Sequence, residues 1–261
     1  MINVSKLIKP KSCLDLIRLG RKGDGGYIVS KLDLDKIDFI LSFGLDADWS
    51  FEKDLSKITK KPVHTYDHSV NLFFFITHSI KCIIRFIQNP IKNYSKLLGI
   101  FKIFSYFHFF YLNNNIHHKK MIYPSTLKKD FFKNSLIDLN QILKNIFSNN
   151  IFLKIDIEGF EYRILDQILI NQDKIQGLVI EFHNCDLFED KIIKFIKNFK
   201  LHLVHIHVNN FSPPNINNFA TAIELSFSSK CTKNKNDNFY PVESLDHPNN
   251  LMEIDQKVNF V

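Results

Sequence analysis

The sequence predicts an α/β fold: a doubly wound, mostly parallel sheet carrying one inserted helical segment. Three observations predict it. Short apolar, β-branched runs alternate with stretches of helical periodicity, the pattern of a parallel sheet with helical crossovers. Carboxylates, imidazoles and amides collect at the C-terminal ends of those runs, where open α/β sheets bind ligands. One segment, 71–115, breaks the alternation and separates two strands by far more than an ordinary crossover.

The elements follow in order. Residues 38–44 read as a first strand closed by the turn at Gly44, and 50–57 as a short helix. Residues 62–67 form a second strand ending on Asp67, and 121–123 a third. Apolar residues recur at helical spacing over 136–147. The run 152–157 is a buried strand, followed by a helix from Glu161 to about Leu169. Residues 177–182 are another buried strand, 191–199 a helix, 201–208 a strand, and 222–227 the last strand. Past Ser229 the chain is polar and weakly patterned, so 230–238 reads as a loop and the C-terminus as a tail. A single domain over 1–229 is expected, with the insertion at about 71–115 and the tail at 230–261. With 261 residues, 45% of them hydrophobic, the chain can bury a full core.

The insertion is crowded with Phe and Ile, with Lys81, Arg85, Lys92, Lys96 and Lys102 among them, and Pro90 divides it into two helices. Charge interrupts it too often for a membrane span. It reads as a helical cap over the domain, or as a basic amphipathic face for peripheral contact with an anionic membrane. The net charge of +7 favours anionic partners without choosing among them. No RNA-binding signature is present, which argues against nucleic acid. Cys13, Cys82, Cys185 and Cys231 are far apart, without a CxxC pair, and no apolar run of signal-peptide length opens the chain. A cytoplasmic location is the expectation.

The chemistry-bearing residues concentrate in a few places. Leu153 to Glu161 carries Asp156, Glu158 and Glu161 off the end of a buried strand, with Gly159 turning the chain. Unpaired carboxylates are rarely buried without a task. The turn Ser42-Phe43-Gly44-Leu45-Asp46 holds one glycine and is not GxGxxG, so it suits a nucleoside better than a pyrophosphate. Asp67, about 20 residues on, can accept hydrogen bonds from ribose hydroxyls. Gly23-Asp24-Gly25-Gly26-Tyr27 is either an ordinary turn or a loop folded over a ligand. Glu181, His183, His205, His207, Asn209 and Glu224 sit on or at the ends of neighbouring strands, His205 and His207 on one face. With Asp156 they are expected to form a general-base cluster or a divalent-metal site, Glu224 either joining it or pairing with a basic neighbour.

The run Leu153-Lys154-Ile155-Asp156-Ile157-Glu158-Gly159-Phe160-Glu161 resembles the LKIDIEGxE signature of FkbM-type methyltransferases. Ser42-Phe43-Gly44 with Phe51-Glu52, the Gly23–Tyr27 entry and His205-x-His207-x-Asn209-Asn210 resemble further parts of such proteins, so the likeness spans roughly 18–227 outside the insertion. It implies a Rossmann-like class I fold, S-adenosylmethionine as cofactor, and O-methylation of a sugar, glycan or related small metabolite. The resemblance places Gly44 and Asp67 near the cofactor and Asp156 near the transferred methyl, and Phe43, Gly44, Asp46, Asp67 and Asp156 are the candidate cofactor residues. Asp156, Glu181, His183 and His207 are the candidate catalytic residues, and Asp156, Glu181 and His207 the candidate metal ligands. Asp24, Tyr27, His205 and Asn209 are the candidate acceptor contacts. The single-glycine loop departs from many class I members. Two rival readings are a metal-dependent hydrolase, which the absence of HExxH disfavours, and a non-catalytic basic module at a membrane or nucleic acid.

Overall fold

A computed structural model describes residues 1–93, 99–123, 135–231 and 239–261. In chain order the strands are β1 (Ile2–Val4), β2 (Leu16–Leu19), β3 (Tyr27–Ser30), β4 (Phe39–Phe43), β5 (Val63–Tyr66), β6 (Ile116–His118), β7 (Met121–Ile122), β8 (Leu136–Ile137), β9 (Ile151–Ile155), β10 (Ile175–His183), β11 (His202–Val208), β12 (Ala222–Ser228) and β13 (Val258–Phe260). The helices are α1 (Lys31–Leu34), α2 (Ser50–Thr59), α3 (Leu72–Gln88), α4 (Pro90–Asn93), α5 (Lys102–Tyr111), α6 (Leu139–Lys144), α7 (Leu165–Ile170) and α8 (Glu189–Asn198).

The central sheet has the order β11-β12-β10-β9-β4-β5-β6, parallel except for β12, which runs against both its neighbours. From β4 the chain steps outward to β5 and β6, then returns to build β9 and β10 on the other side. The strand order therefore reverses between β4 and β9, the place where such sheets open a crevice for ligands. This is the doubly wound class I methyltransferase architecture that the resemblance implies.

Side-chain alternation sends successive residues of each strand to opposite faces. Leu41, Phe43, Leu153, Ile155, Leu178 and Ile180 pack on one face against Leu143, Ile168, Ile192 and Phe195 of α6, α7 and α8. Ile40, Phe152 and Val179 pack on the other against Tyr27, Val29, Phe51 and Leu55. Lys154, Glu181, Glu224 and His207 share the parity of this second face. Register neighbours Val179–Lys154, Glu181–Glu224 and His207–Glu224 make them a polar belt across four strands. The hairpin of β2 and β3 and the C-terminal segment cover that belt, as the hydrogen bonds of Tyr27 and Asp255 below make plain.

Three expectations are corrected. The third strand of the central sheet is β6, whereas β7 pairs with β8 outside it. The residues of β6, Ile116-His117-His118, lack an apolar run, because an edge strand needs few buried side chains. The start of the expected helix at 136 is instead strand β8, and α6 begins only after Asp138, whose side chain caps it by accepting from Asn140 N. The tail is built into the fold: β13 pairs with β1, and Tyr240, Asp246 and Asn249 are buried. Most of the loop expected at 230–238, and Lys96 in the insertion, lie outside the described residues.

Among its described residues the insertion is mainly helical, forming α3, α4 and α5 where two helices were expected, with Pro90 opening α4. Phe75, Tyr106, Phe109 and Phe110 anchor it in the core beside Trp49 and Val70. Asn115 ties it down by accepting from Val63 N and donating to Phe109 O. None of its described residues lines the cavity described next.

Candidate active site

Gly44 makes the crevice possible. Its φ is +82°, and a Cβ there would lie 1.7 Å from the Asp156 carbonyl oxygen. The ends of β4 and β9 thus touch through backbone alone, with Asp156 N donating to Phe43 O at 2.9 Å. Beside this contact opens a cavity of about 280 Å³. Leu45, Tyr66, Met121, Ile122, Ile157 and Phe160 supply apolar wall, and Asp46, Asp67, Asp156 and Glu158 supply carboxylates. Asp67 is held by four donors: Leu45 N and Asp46 N on Oδ2, Ser69 N and Oγ on Oδ1. Burial alone would raise its pKa, but these hydrogen bonds outweigh it and hold the carboxyl below its ordinary value. A further hydroxyl reaches Asp67 only by displacing one donor, most readily the Ser69 hydroxyl.

Phe43 is not part of the wall. Its side chain is fully buried in the core, its ring centroid 5.6 Å from that of Tyr66, so of the residues expected at the cofactor it is one whose side chain does not line the cavity. Strand parity explains it: Phe43 points to the α6–α8 face, and only its carbonyl serves the site.

Asp156 is the hinge between cavity and polar belt. The Tyr27 hydroxyl donates to its Oδ2 at 3.0 Å and lies 3.5 Å from Glu181 Oε2. Asn209 Nδ2 donates to Glu181 Oε1 at 2.7 Å. Lys154 Nζ donates to Gly44 O at 2.7 Å and lies 3.5 Å from Asp156 Oδ2. Burial opposes the Lys154 charge, yet Asp156, Glu52 and Glu181 around it raise its pKa. Burial, then the nearby Asp156 and Glu224, push the Glu181 carboxyl well up, toward its neutral form. Lys154 is the residue that motif reading passed over. A lysine in a strand buried on both faces is itself a signal, since it must be paired.

His183 lies against the same cluster. Its Nδ1 donates to Glu161 Oε1 at 3.0 Å, and its Nε2 is 3.5 Å from Glu158 and 3.6 Å from Glu181. Burial would lower its pKa, but the Glu161 hydrogen bond and the negative charge around it raise it to about 9. Glu161 is fully buried and also accepts from Ile157 N and Gly159 N, so it fixes the loop after β9 as well as the imidazole. Asp156, Glu158 and His183 bring one ligand atom each within 4.8 Å of one another, as do Asp24, Glu181 and Glu224.

His207 is a correction. It is enclosed, donating from Nδ1 to Glu224 at 3.3 Å and from Nε2 to Asp255 at 3.1 Å. With both nitrogens used, it has no lone pair for a metal and no reach to the cavity. The expected ligand set of Asp156, Glu181 and His207 does not assemble among the described residues. His205 is likewise buried, 3.1 Å from Asp246 and packed edge-on against Tyr240, so it holds the C-terminal segment rather than an acceptor. Of the other expected acceptor contacts, Tyr27 and Asn209 touch the cluster, and Asp24 reaches it through Asn249, which donates to Asp24 and Glu224. Asp246, Asn249 and Asp255 were not foreseen, because they lie in the polar stretch read as a tail.

A pH prediction follows for His207. Burial disfavours its charge, but Asp255 and Glu224 raise its pKa to about 10. A raised pKa contributes stability that is complete below the unfolded value of about 6.5 and is lost as pH rises through the folded value. His207→Gln is expected to lower the unfolding midpoint at pH ~6.5, on the ~3–5 kcal/mol scale of a broken buried pair. The gap from the parent protein should narrow as pH approaches about 10. Thermal unfolding at both pH values checks this, and a constant gap would mean that the imidazole is not charged.

The chain is similar to a solved fibrillarin/Nop5p complex, at 11% identity over 72% of this chain and 71% of that one, TM-score 0.35. It is similar also to the Methanococcus jannaschii fibrillarin pre-rRNA processing protein, at 10% identity over 77% and 70%, TM-score 0.36. No curated protein matches. No helix among the described residues is long and apolar enough to cross a membrane. The profile of the Methyltransferase FkbM domain matches residues 87–221, just over half of the sequence and including β9, β10 and the Asp156 loop, and the chain belongs to that family.

Proposed function

We propose that the protein transfers a methyl group from S-adenosylmethionine to a hydroxyl oxygen of a sugar, glycan or related small metabolite. One observation carries this reading: the cavity at the β4/β9 reversal has apolar walls for a heterocycle and Asp156 in its lining. Leu45, Ile122 and Phe160 would enclose the base, and Asp67, with Ser69 yielding, would meet the ribose. The cofactor supplies an electrophilic methyl when bound. The protein's own work is to hold the acceptor hydroxyl in line, exclude water and take up one proton.

Asp156 is the group placed for that proton. Its side chain is 26% exposed, whereas Glu181 is 4% exposed and driven toward its neutral form. With a pKa of about 9, His183 holds its proton near neutrality and serves as a positive partner to the carboxylates, not as the base. The Tyr27 hydroxyl bridges Asp156 and Glu181 and positions both.

Isothermal titration with S-adenosylmethionine and S-adenosylhomocysteine tests the reading. Micromolar binding is expected, and no binding at millimolar ligand would overturn it. The trio Asp156, Glu158 and His183 supports a second reading, in which a divalent ion polarises the acceptor hydroxyl. Transfer that a chelator abolishes and a divalent ion restores would favour that form, and indifference to chelator favours Asp156 as base.

Asp67→Ala is expected to weaken S-adenosylhomocysteine binding by ~1–3 kcal/mol, the scale of a charged hydrogen bond. The unfolding midpoint should fall too, because the loop donors Leu45 N and Asp46 N lose their acceptor. Unchanged affinity in the folded variant would remove Asp67 from the site.

A further inference from the structure

The insertion presents a surface that methyl transfer does not use. Residues 71–115 contain no Asp or Glu, although the chain has 27, and they carry Lys81, Arg85, Lys92, Lys96 and Lys102. The same segment exposes Leu72, Phe73, Ile76, Ile80, Ile84 and Ile87 on α3 and further Phe side chains on α5. Projected at about 100° per residue, those six α3 residues fall within an arc of about 120°. Phe75 and Cys82 occupy the opposite side and are buried against the domain. On the same projection Lys81 and Arg85, both exposed, lie about 60° and about 100° beyond one edge of the arc, between it and the buried side. Single exposed apolar residues are ordinary, but a continuous apolar helix face bordered on one side by cations and free of acids marks an interaction site.

We propose that α3 and α5 dock the protein on an anionic lipid bilayer, with α3 lying in the plane of the interface. A 17-residue helix interrupted by Lys81 and Arg85 does not span a bilayer, and no described helix meets the length and apolarity of a span. An in-plane helix with its apolar arc in the acyl boundary and its cations at the headgroups satisfies both sets of side chains. A second copy of the chain fits less well, because two acid-free basic faces would be apposed without complementary charge. Nucleic acid also fits less well, since on α3 the arc offers a base one π-face, Phe73, among five aliphatic side chains. Ser69 lines the cavity and Asn71 caps the start of α3, so the helix departs from the rim of the candidate active site.

Co-sedimentation of the full chain tests this, using phosphatidylcholine vesicles with and without about 30 mol % phosphatidylglycerol. Partitioning at least ~10-fold stronger onto the anionic vesicles, and weakened by salt, is expected. Ile80→Glu with Ile84→Glu should reduce it at least ~10-fold while leaving S-adenosylhomocysteine binding intact. Lys81→Glu, a surface change compatible with folding, should weaken anionic binding alone and serves if the double variant does not fold. Absence of vesicle binding, or binding indifferent to both variants, would overturn the proposal. So would a dimer in sedimentation velocity, or an RNA complex, that the Ile variants dissolve while vesicles stay unbound. Vesicle binding is read without methyl transfer, so its failure and that of the enzymatic reading are distinguishable.

Discussion

Asp156→Asn is expected to leave S-adenosylhomocysteine bound and to lower methyl transfer by at least ~10²-fold, the usual scale of a lost acid–base group. The substitution keeps shape and removes the carboxylate that touches both the cavity and the buried cluster. Tyr27 and Lys154 both approach Oδ2, leaving Oδ1 to meet an acceptor. Neither neighbour can replace it. Glu181 is buried and held by Asn209, and its pKa is raised by burial and by the carboxylates beside it. His183 is positively charged near neutrality. The measurement is release of S-adenosylhomocysteine with any acceptor that supports turnover of the parent protein. A folded variant that binds cofactor and retains more than a tenth of the parent rate would move the proton to another group, or to solvent.

How much of this was legible in the sequence depends on how local the signal is. Strands β4, β9, β10 and β12 are short apolar runs that a fully buried strand requires, and they were read within a few residues. Asp156, Glu181 and His183 were legible as a group because each lies at or near the C-terminal end of a strand on the same side of the sheet, and the fold brings them together. His207 was misplaced for a physical reason. Strand alternation tells which face a residue occupies but not how many strands separate it from a partner. Here β12 lies between β10 and β11, so Glu224 stands where contact with Glu181 was expected. The other partner of His207, Asp255, comes from 48 residues away in a stretch with no periodicity. The same stretch supplies Asp246 to His205. Polar residues that exist to satisfy buried charges look like solvated loop until their partners are known. Lys154 shows the opposite case: its flanking apolar residues already implied that its charge is buried and paired.

Gly44→Ala is expected to destabilise the protein and to lose cofactor binding together. At φ +82° an alanine is strained by ~1–2 kcal/mol whatever the space around it. The added Cβ would also stand 1.7 Å from a backbone oxygen, that of Asp156, which no rotamer change can move. Relief requires parting β4 from β9 at their carboxyl ends. That breaks the Asp156 N to Phe43 O hydrogen bond and withdraws the Gly44 carbonyl from Lys154. Strain and overpacking together cost roughly 2–5 kcal/mol, or a fall of ~4–20 °C in the midpoint for a domain of this size. Gly159→Ala separates strain from clash. Its φ is +94°, yet the nearest atom to its Cβ is Asn184 Nδ2 at 3.9 Å, so only the conformational cost of ~1–2 kcal/mol should appear. Thermal unfolding and S-adenosylhomocysteine titration on both variants compare the two positions directly. If Gly44→Ala behaves like Gly159→Ala in both measurements, the ends of β4 and β9 do not meet as closely as the structure has them. The cavity wall would then have to be sought elsewhere along the sheet.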